Sequence, residues 1–457
     1  MNLINIAMTG LNANRVALEV TAQNVANINT PGYSRQQALT ASIGGAKQDS
    51  LSAGMGVEVT SIRRVTDGFL VKQLWSTNSS ASYAAGYTTS MGHLENTLGA
   101  DGFSLSTGLD SMFAALNDAT TKPESQPLRQ QIINEAEALS RRFNALNDAL
   151  HHQHKDMSDQ RTAAVSHANS LLGNIAAVNQ QIMEMKGAGG HSAQLLDTRD
   201  LLIGELSTVM EVKTTEQGDG TVQVTLASGQ PLVMGGEAGQ LKAIPDPNDS
   251  YMASLQVEFG KQSFAISGSV GGQLGALNDY QTEVLKPNQV AINDMARALA
   301  DEFNTVLATG TDLNGDAGTP LFSYDPSNPA ASLTITDITS SELALSSDGT
   351  PGNSDVLKRL IEISNKPVDV TGFGNVSLND AFTAMVGETA IKARQAHSDY
   401  EAKLDMNQQA LAQRNNLSAV SSDEEAGNVM TFANAHNANM KVISTANELF
   451  NSVLQLF

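Results

Sequence analysis

The chain has 457 residues, more than one ordinary core holds and enough for roughly two to four domains. A formal net charge of −21 argues against nucleic acid and against an anionic membrane surface, because both are gripped by Lys and Arg; the charge itself reads as solubility. The absence of cysteine excludes disulfides, thiolate catalysis and Cys-based zinc sites.

The first thirty residues read as one helix. Ile4, Leu11, Leu18 and Val25 recur every seven, and Met8 and Ala22 fall in the companion row, which Arg15 interrupts. The pattern is a coiled-coil seam. No Lys or Arg precedes Arg15, so a cleavable secretory signal is not expected. No stretch reaches the ~18 apolar residues of a membrane span. The helix is expected to end at Asn29-Thr30-Pro31-Gly32, where Pro31 moves Thr30 out of helical space and Pro-Gly signals a type II turn.

Residues 127 to about 186 read as one very long helix, with Pro127 at its start and an unbroken row of Ala136, Phe143, Leu150, Met157, Ala164, Leu171, Val178 and Met185. His151 and His154 are the one pair in His151-His152-x-His154 that shares a helical face. No ligand set completes around them, and exposed polar residues are the expectation. Gly187-Ala188-Gly189-Gly190 stops the helix, and a second follows with Leu195, Leu202, Leu206 and Val209. Between 206 and 271 the pattern changes to period two. Thr221-Val222-Gln223-Val224-Thr225-Leu226, Leu232-Val233-Met234 and Leu255 to Phe259 are the expected strands.

A helix near 275–308 carries Ile292, Met295, Leu299, Phe303 and Val306. After it, Asp312-x-Asn314-x-Asp316 mimics a calcium loop. Ala317 stands where glycine is needed and Ser323 where the bidentate glutamate is, so a turn-rich connector is expected. Residues 326–377, with Ser332-Leu333-Thr334-Ile335, either join the β-rich part or cap the helices. A further helix spans about 379–417, with Leu404 and Leu411 in its seam.

The last thirty residues repeat the opening pattern. Val429, His436, Ile443, Phe450 and Phe457 form one row; Ala433, Met440 and Leu454 form its companion. Ser422 and Glu425 are the expected capping box, with Asp423 and Glu424 in the first turn. Neither terminal helix can bury its seam alone, and the simplest solution pairs them. Residues 1–34 hold only the charges Arg15 and Glu19, and 426–457 only Lys441 and Glu448; Asn, Thr, Ser, Gln and Ala fill the other faces. Two readings remain open on these residues: a hairpin with a polar surface, or helices whose outer faces also meet protein.

Ala17-Leu18 followed by Asn24 through Tyr33 resembles the N-terminal signature shared by flagellar rod, hook and hook-associated proteins. The continuation Tyr33-Ser34-Arg35-Gln36, the segments Leu196 to Leu201, Gly271 to Leu277 and Gly310 to Gly315, and Val442 to Phe450 resemble the hook-associated protein 1 family, the hook–filament junction proteins. Ser418 to Glu425 is similar to that family's terminal motif and departs from it at Ala419 and Ser421.

The expected fold is mainly α with a β-rich insert. Paired terminal coiled-coil helices (1–40 plus 418–457) enclose an elongated helical bundle (41–205, 272–325 and 378–417). The bundle encloses a β-rich outer domain (206–271, with 326–377 unassigned). The resemblance implies a structural, non-enzymatic part of the bacterial flagellum with no cofactor. It implies export without a cleavable signal and assembly with copies of itself in a ring. It also implies the hook protein on one side, the filament-side hook-associated protein on the other, and a cytoplasmic chaperone on the C-terminal region before export. The alternatives are another axial protein of hook or rod type, or a secreted enzyme or metal-binding protein using the β insert. The expected assembly interface comprises Ile4, Met8, Leu11, Leu18, Val25, Asn27, Pro31, Gly32, Tyr33 and Arg35 at one end, and Val429, Phe432, Met440, Ile443, Phe450, Leu454 and Phe457 at the other. No catalytic, cofactor or metal residue is expected, and neither nucleic acid nor membrane.

Overall fold

The computed structural model describes residues 2–44, 54–188, 192–247 and 249–455. Phe457, Gly189 and Gly190 of the sequence reading lie outside them. Helix α1 (Asn2–Ala26) gives way to turns. The last is the expected type II turn: Tyr33 N–H donates to Thr30 O at 3.2 Å, and Gly32 takes φ +77°, which a side chain would oppose. An antiparallel hairpin follows, β1 (Gln36–Ile43) and β2 (Gly56–Arg64), with a register shift between Leu39 and Thr40. It packs on α1.

Helix α2 (Gly68–Gly99) starts at Asp67, whose carboxylate accepts from Phe69 N–H at 2.7 Å. Helix α3 (Leu105–Ala119) starts at Ser104, which accepts from Thr107 N–H. Helix α4 (Gln126–Gly187) has 62 residues, and at ~1.5 Å per residue such a helix is about 90 Å long. Its heptad row from Ala136 to Val178 is buried throughout; Met185, expected to continue it, is exposed. Helix α5 (Ala193–Val209) returns beside it.

The β insert is two antiparallel sheets. Strands β3 (Val212–Glu216), β4 (Val222–Leu226), β5 (Pro231–Met234) and β6 (Glu237–Ala238) pair in sequence order. Strands β7 (Gln240–Asp246), β8 (Asp249–Phe259) and β9 (Gln262–Ala265) form the second sheet. In β4, Val222, Val224 and Leu226 are buried and Gln223 and Thr225 are not, the period-two pattern of a half-buried strand.

Helices α6 (Gly272–Tyr280) and α7 (Lys286–Leu307) are joined by a π-helical turn, Gln281–Leu285. Pro287 explains it, since proline offers no N–H and crowds the carbonyl four residues back, which the wider turn relieves. Then come β10 (Phe322–Ser323), α8 (Pro329–Ser332), β11 (Thr334–Ile335), α9 (Asp355–Glu362), β12 (Val368–Val370), β13 (Gly374–Val376) and α10 (Leu378–Ser418). Helix α11 (Ser422–Leu454) ends the described chain.

Two apolar cores share α4 as a spine. The larger gathers Met91 and Leu94 of α2, α3, the first half of α4, α7 and the start of α10. Leu333, Leu343, Leu345, Leu357 and Val370 belong to it too, so residues 326–377 cap the bundle. The buried Arg129 fastens this cap by donating to the carbonyls of Ser340 and Leu343. The smaller core joins the second half of α4, α5, Trp75 and the inner faces of the β sheets. The molecule is thus mainly helical with a β-rich insert.

Two further sequence expectations change, at His154 and at Leu411. His154 is buried rather than exposed, with Nδ1 3.1 Å from Gln281 Nε2, while His151 stacks edge-on against Tyr251; the π turn and β8 come down on this face of α4. Burial pushes the His154 imidazole down to about 4. Leu411 is exposed, because this end of α10 meets its neighbours through Asn407 and Ala410. The calcium-like loop is an Asx turn: Asp312 accepts from the backbone N–H of Asn314 and Asp316, each at 2.8 Å.

Candidate assembly interface

Helices α1 and α11 pair antiparallel. Asn24 Nδ2 donates to Glu425 Oε1 at 3.2 Å, and a Cβ placed on Gly10 would meet Asn439 at 3.0 Å, which fixes the register. The close approach uses small residues. The buried face of α1 is Ala7, Ala13, Ala17, Val20, Thr21 and Asn24. The expected seam is therefore rotated: Ile4, Leu11 and Leu18 are half-buried, and Met8 and Val25 are exposed. On α11 only Glu425 and Ala446 are buried, and the half-buried Phe432 and Asn439 lie on their row. Val429, Met440, Phe450 and Leu454, expected in the seam, face outward, and Ile443 and His436 are half-buried. The physical reason is that alanine, glycine and asparagine let two backbones approach where large side chains would hold them apart. The cap also moves by one residue. Ser421, not Ser422, accepts from the N–H three residues on, at Glu424, and Glu425 turns inward to Asn24.

Asn24 organises the end of the pair. Its Oδ1 accepts from Tyr33 OH and Gln36 N–H, both at 2.9 Å, and its Nδ2 also donates to Gln36 O. Burial, with Asp197 and Glu425 nearby, pushes the Tyr33 phenol up to about 12, so it remains a donor. Arg35 pairs with Glu424 across the same end. Asn27 makes only local bonds, to Gln23 O and from Thr30, and Pro31 is exposed. Asn24, Glu425 and the alanine stripe were absent from the expected interface residues. The four-residue spacing of Ala13 and Ala17, continued by Val20, Thr21 and Asn24, is the signal that could have found them.

The pair leaves much apolar surface open. Met8, Val25, Val429, Met430 and Met440 are exposed along it. In the observed register, α11 beyond Asn447 has no α1 residue opposite. Leu449, Phe450, Val453 and Leu454 there are all more than half exposed and lie on adjacent turns. A groove of about 850 Å³ runs between α1, α11 and the hairpin, lined by Ala13, Ala17, Val20, Val57 and Phe432 among polar residues. Such surface on nearly uncharged helices is what a protein–protein contact covers. Among the described residues, no group of three or more His, Asp or Glu side chains is placed to hold a metal ion.

Known proteins resemble the chain throughout its length. The family model for the helical domain of the flagellar hook-associated protein FlgK matches residues 91–322, and that for the flagella basal body rod protein matches residues 4–33. Flagellar hook-associated protein 1 of Escherichia coli (strain K12) is 26% identical, over 100% of both chains. The protein of the same name from Bacillus subtilis (strain 168) is 26% identical over 99% of this chain and 97% of its own. In fold, the chain is similar to the flagellar hook junction protein FlgK from Burkholderia pseudomallei, with a TM-score of 0.68 and 16% identity, covering 77% of this chain and 100% of that one. With a helical-domain model spanning half its length, the chain belongs to the FlgK family of flagellar hook-associated proteins, structural components of the flagellum rather than enzymes.

Proposed function

We propose that this protein forms the junction between hook and filament, and that copies of it assemble in a ring through α1 and α11. The observation that carries the reading is the outward row of Val429, Met430, Met440, Phe450 and Leu454 on a helix that buries only two of its own residues. Isolated helices are marginal in water, so the terminal pair gains most of its order when neighbours cover it. Hook protein contacts one side of the ring and the filament-side hook-associated protein the other. In this reading α1, its hairpin and α11 form the inner axial domain, wider than the expected 1–40 and 418–457 because the hairpin through Arg64 packs on α1, with the bundle and the β insert outside it. The chain is exported to the cell exterior, and before export a cytoplasmic chaperone covers the apolar C-terminal helix.

Deleting residues 1–34 or 424–457 in cells tests it. Flagella are expected to stop at the hook, with filament subunits released into the medium. Normal filaments on either deletion would overturn the reading.

A further inference from the structure

The terminal unit, α1 with its hairpin and α11, shares no apolar core with the rest of the molecule: among the described residues, neither core contains any residue of 1–64 or 419–457. The chain crosses between the two parts twice, at 65–67 and at 419–421. A Cβ placed on Gly32 would stand 3.3 Å from Leu201 Cβ, and two backbone bonds flank the crossings, Arg35 N–H to Ser418 O and Val65 N–H to Arg35 O, both 2.8 Å.

The side-chain bonds across this boundary converge on one polar cluster. Asp197, at the start of α5, accepts from Ser34 N–H at 3.2 Å and from Arg64 Nη1 at 2.7 Å. The same Arg64 nitrogen donates to Asp200 at 2.9 Å. Arg414 Nη2, from the end of α10, donates to Gly32 O at 3.2 Å and lies 3.4 Å from Ser34 Oγ. The acceptors are themselves anchored. Trp75 Nε1 donates to Asp200 O, and Arg199, whose Nη2 lies 3.5 Å from Asp200 Oδ1, donates to Gly220 O in the β insert. Clefts of about 350 and 700 Å³ flank the cluster, so close packing does not replace it.

We propose that Asp197 and Asp200 are positioning residues of an ion-paired joint, which sets the angle at which the terminal helices leave the bundle. The Arg64 and Asp197 side chains are 12% and 9% exposed, so their attraction is little screened. Removing the carboxylate charge leaves a largely buried guanidinium without its counter-ion, and the cluster opens rather than hold it. The terminal unit then swings about its two crossings. If copies assemble through the terminal helices as proposed above, this angle places the bundle relative to the assembled core. The joint itself is tested on the isolated chain, so its failure and that of the assembly reading are distinguishable.

The cysteine-free chain allows two spin labels to be placed cleanly, at Lys155→Cys on α4 and Glu58→Cys on β2, both exposed. Double electron–electron resonance on the full chain is expected to give one narrow distance. Asp197→Asn combined with Asp200→Asn is expected to abolish that single distance and give a broad distribution, in a bundle that still unfolds cooperatively. Arg64→Gln removes the same pair from the other side, and is the independent variant should the double change not fold. Glu302→Gln, which breaks the Lys366 pair elsewhere in the bundle, is the control expected to keep the narrow distance. A narrow distance in the Asp197/Asp200 variant, a broad one in the parent chain, or equal broadening by Glu302→Gln would overturn the proposal.

Discussion

Replacing Phe450 and Leu454 by glutamine separates folding from assembly. Phe450 is 61% and Leu454 58% exposed in the single chain. An aromatic side chain offers ~150–250 Å² to bury, so roughly 120 Å² of Phe450 stays open, worth about 3 kcal/mol at ~25 cal/mol per Å² once covered. The open part of Leu454 adds about 1–2 kcal/mol. If neighbouring copies cover half of this surface, about 2 kcal/mol of assembly energy is lost at each contact, more than tenfold in its equilibrium constant. Folding changes little, because exposed substitutions away from special features stay within about 0.5 kcal/mol. Thermal unfolding of the purified chain reads the first quantity, and addition of the chain to isolated hooks reads the second. The expected result is an unchanged melting temperature with at least tenfold weaker addition. A melting temperature that falls with the addition would show that these side chains support the fold of the single chain, and addition at the parent level would show that no neighbour covers them.

Three further outcomes follow from the interior. Phe143→Ala, in the buried row of α4, is expected to cost about 3–5 kcal/mol in denaturant unfolding; a loss under 1 kcal/mol would contradict the packing of the larger core. Gly272→Ala places a Cβ 2.5 Å from the Val209 backbone carbon at φ +55°, and a cost of at least about 2 kcal/mol is expected from the left-handed backbone and the clash together. An unchanged melting temperature would show that the entry to α6 can shift. His154 titrates near 4 when folded, below its usual 6.5, so the unfolded chain binds more protons between these values. Its contribution is complete above pH 6.5 and is lost as the pH falls from 6.5 towards 4. In His154→Gln the slope of stability against pH should flatten between pH 5 and 6.5; an unaltered slope would place the titration elsewhere.

Much of the architecture was legible because α4 writes it openly: a heptad row from Ala136 to Val178 admits only a long helix with one buried face. The turn at Pro31-Gly32 and strand β4 were equally plain, since proline, glycine and period-two alternation each act locally. The hairpin β1–β2 and helix α2 escaped notice. In α2, Ser, Thr, Gly and Ala stand where a seam would be, and its burial comes from α10 and α6, whose approach no local pattern announces. The pairing of the termini was readable, but its rotation was not. Heptad reasoning assigns the largest residues to the seam, whereas Ala13, Ala17 and Gly10 let α11 come close and leave Met8 and Phe450 outside. The polar joint required tertiary structure. Asp197 and Asp200 stood in a motif whose similarity was visible, but Arg64, Ser34 and Arg414 come from three distant segments.

If copies assemble as proposed, the outward residues of α1 and α11 are covered by other subunits. A density map of the hook–filament region resolving this protein in place tests it most directly. Met8, Met440, Phe450 and Leu454 are expected within contact distance of neighbouring chains. Terminal helices that stand in solvent there, touching no neighbour, would contradict it.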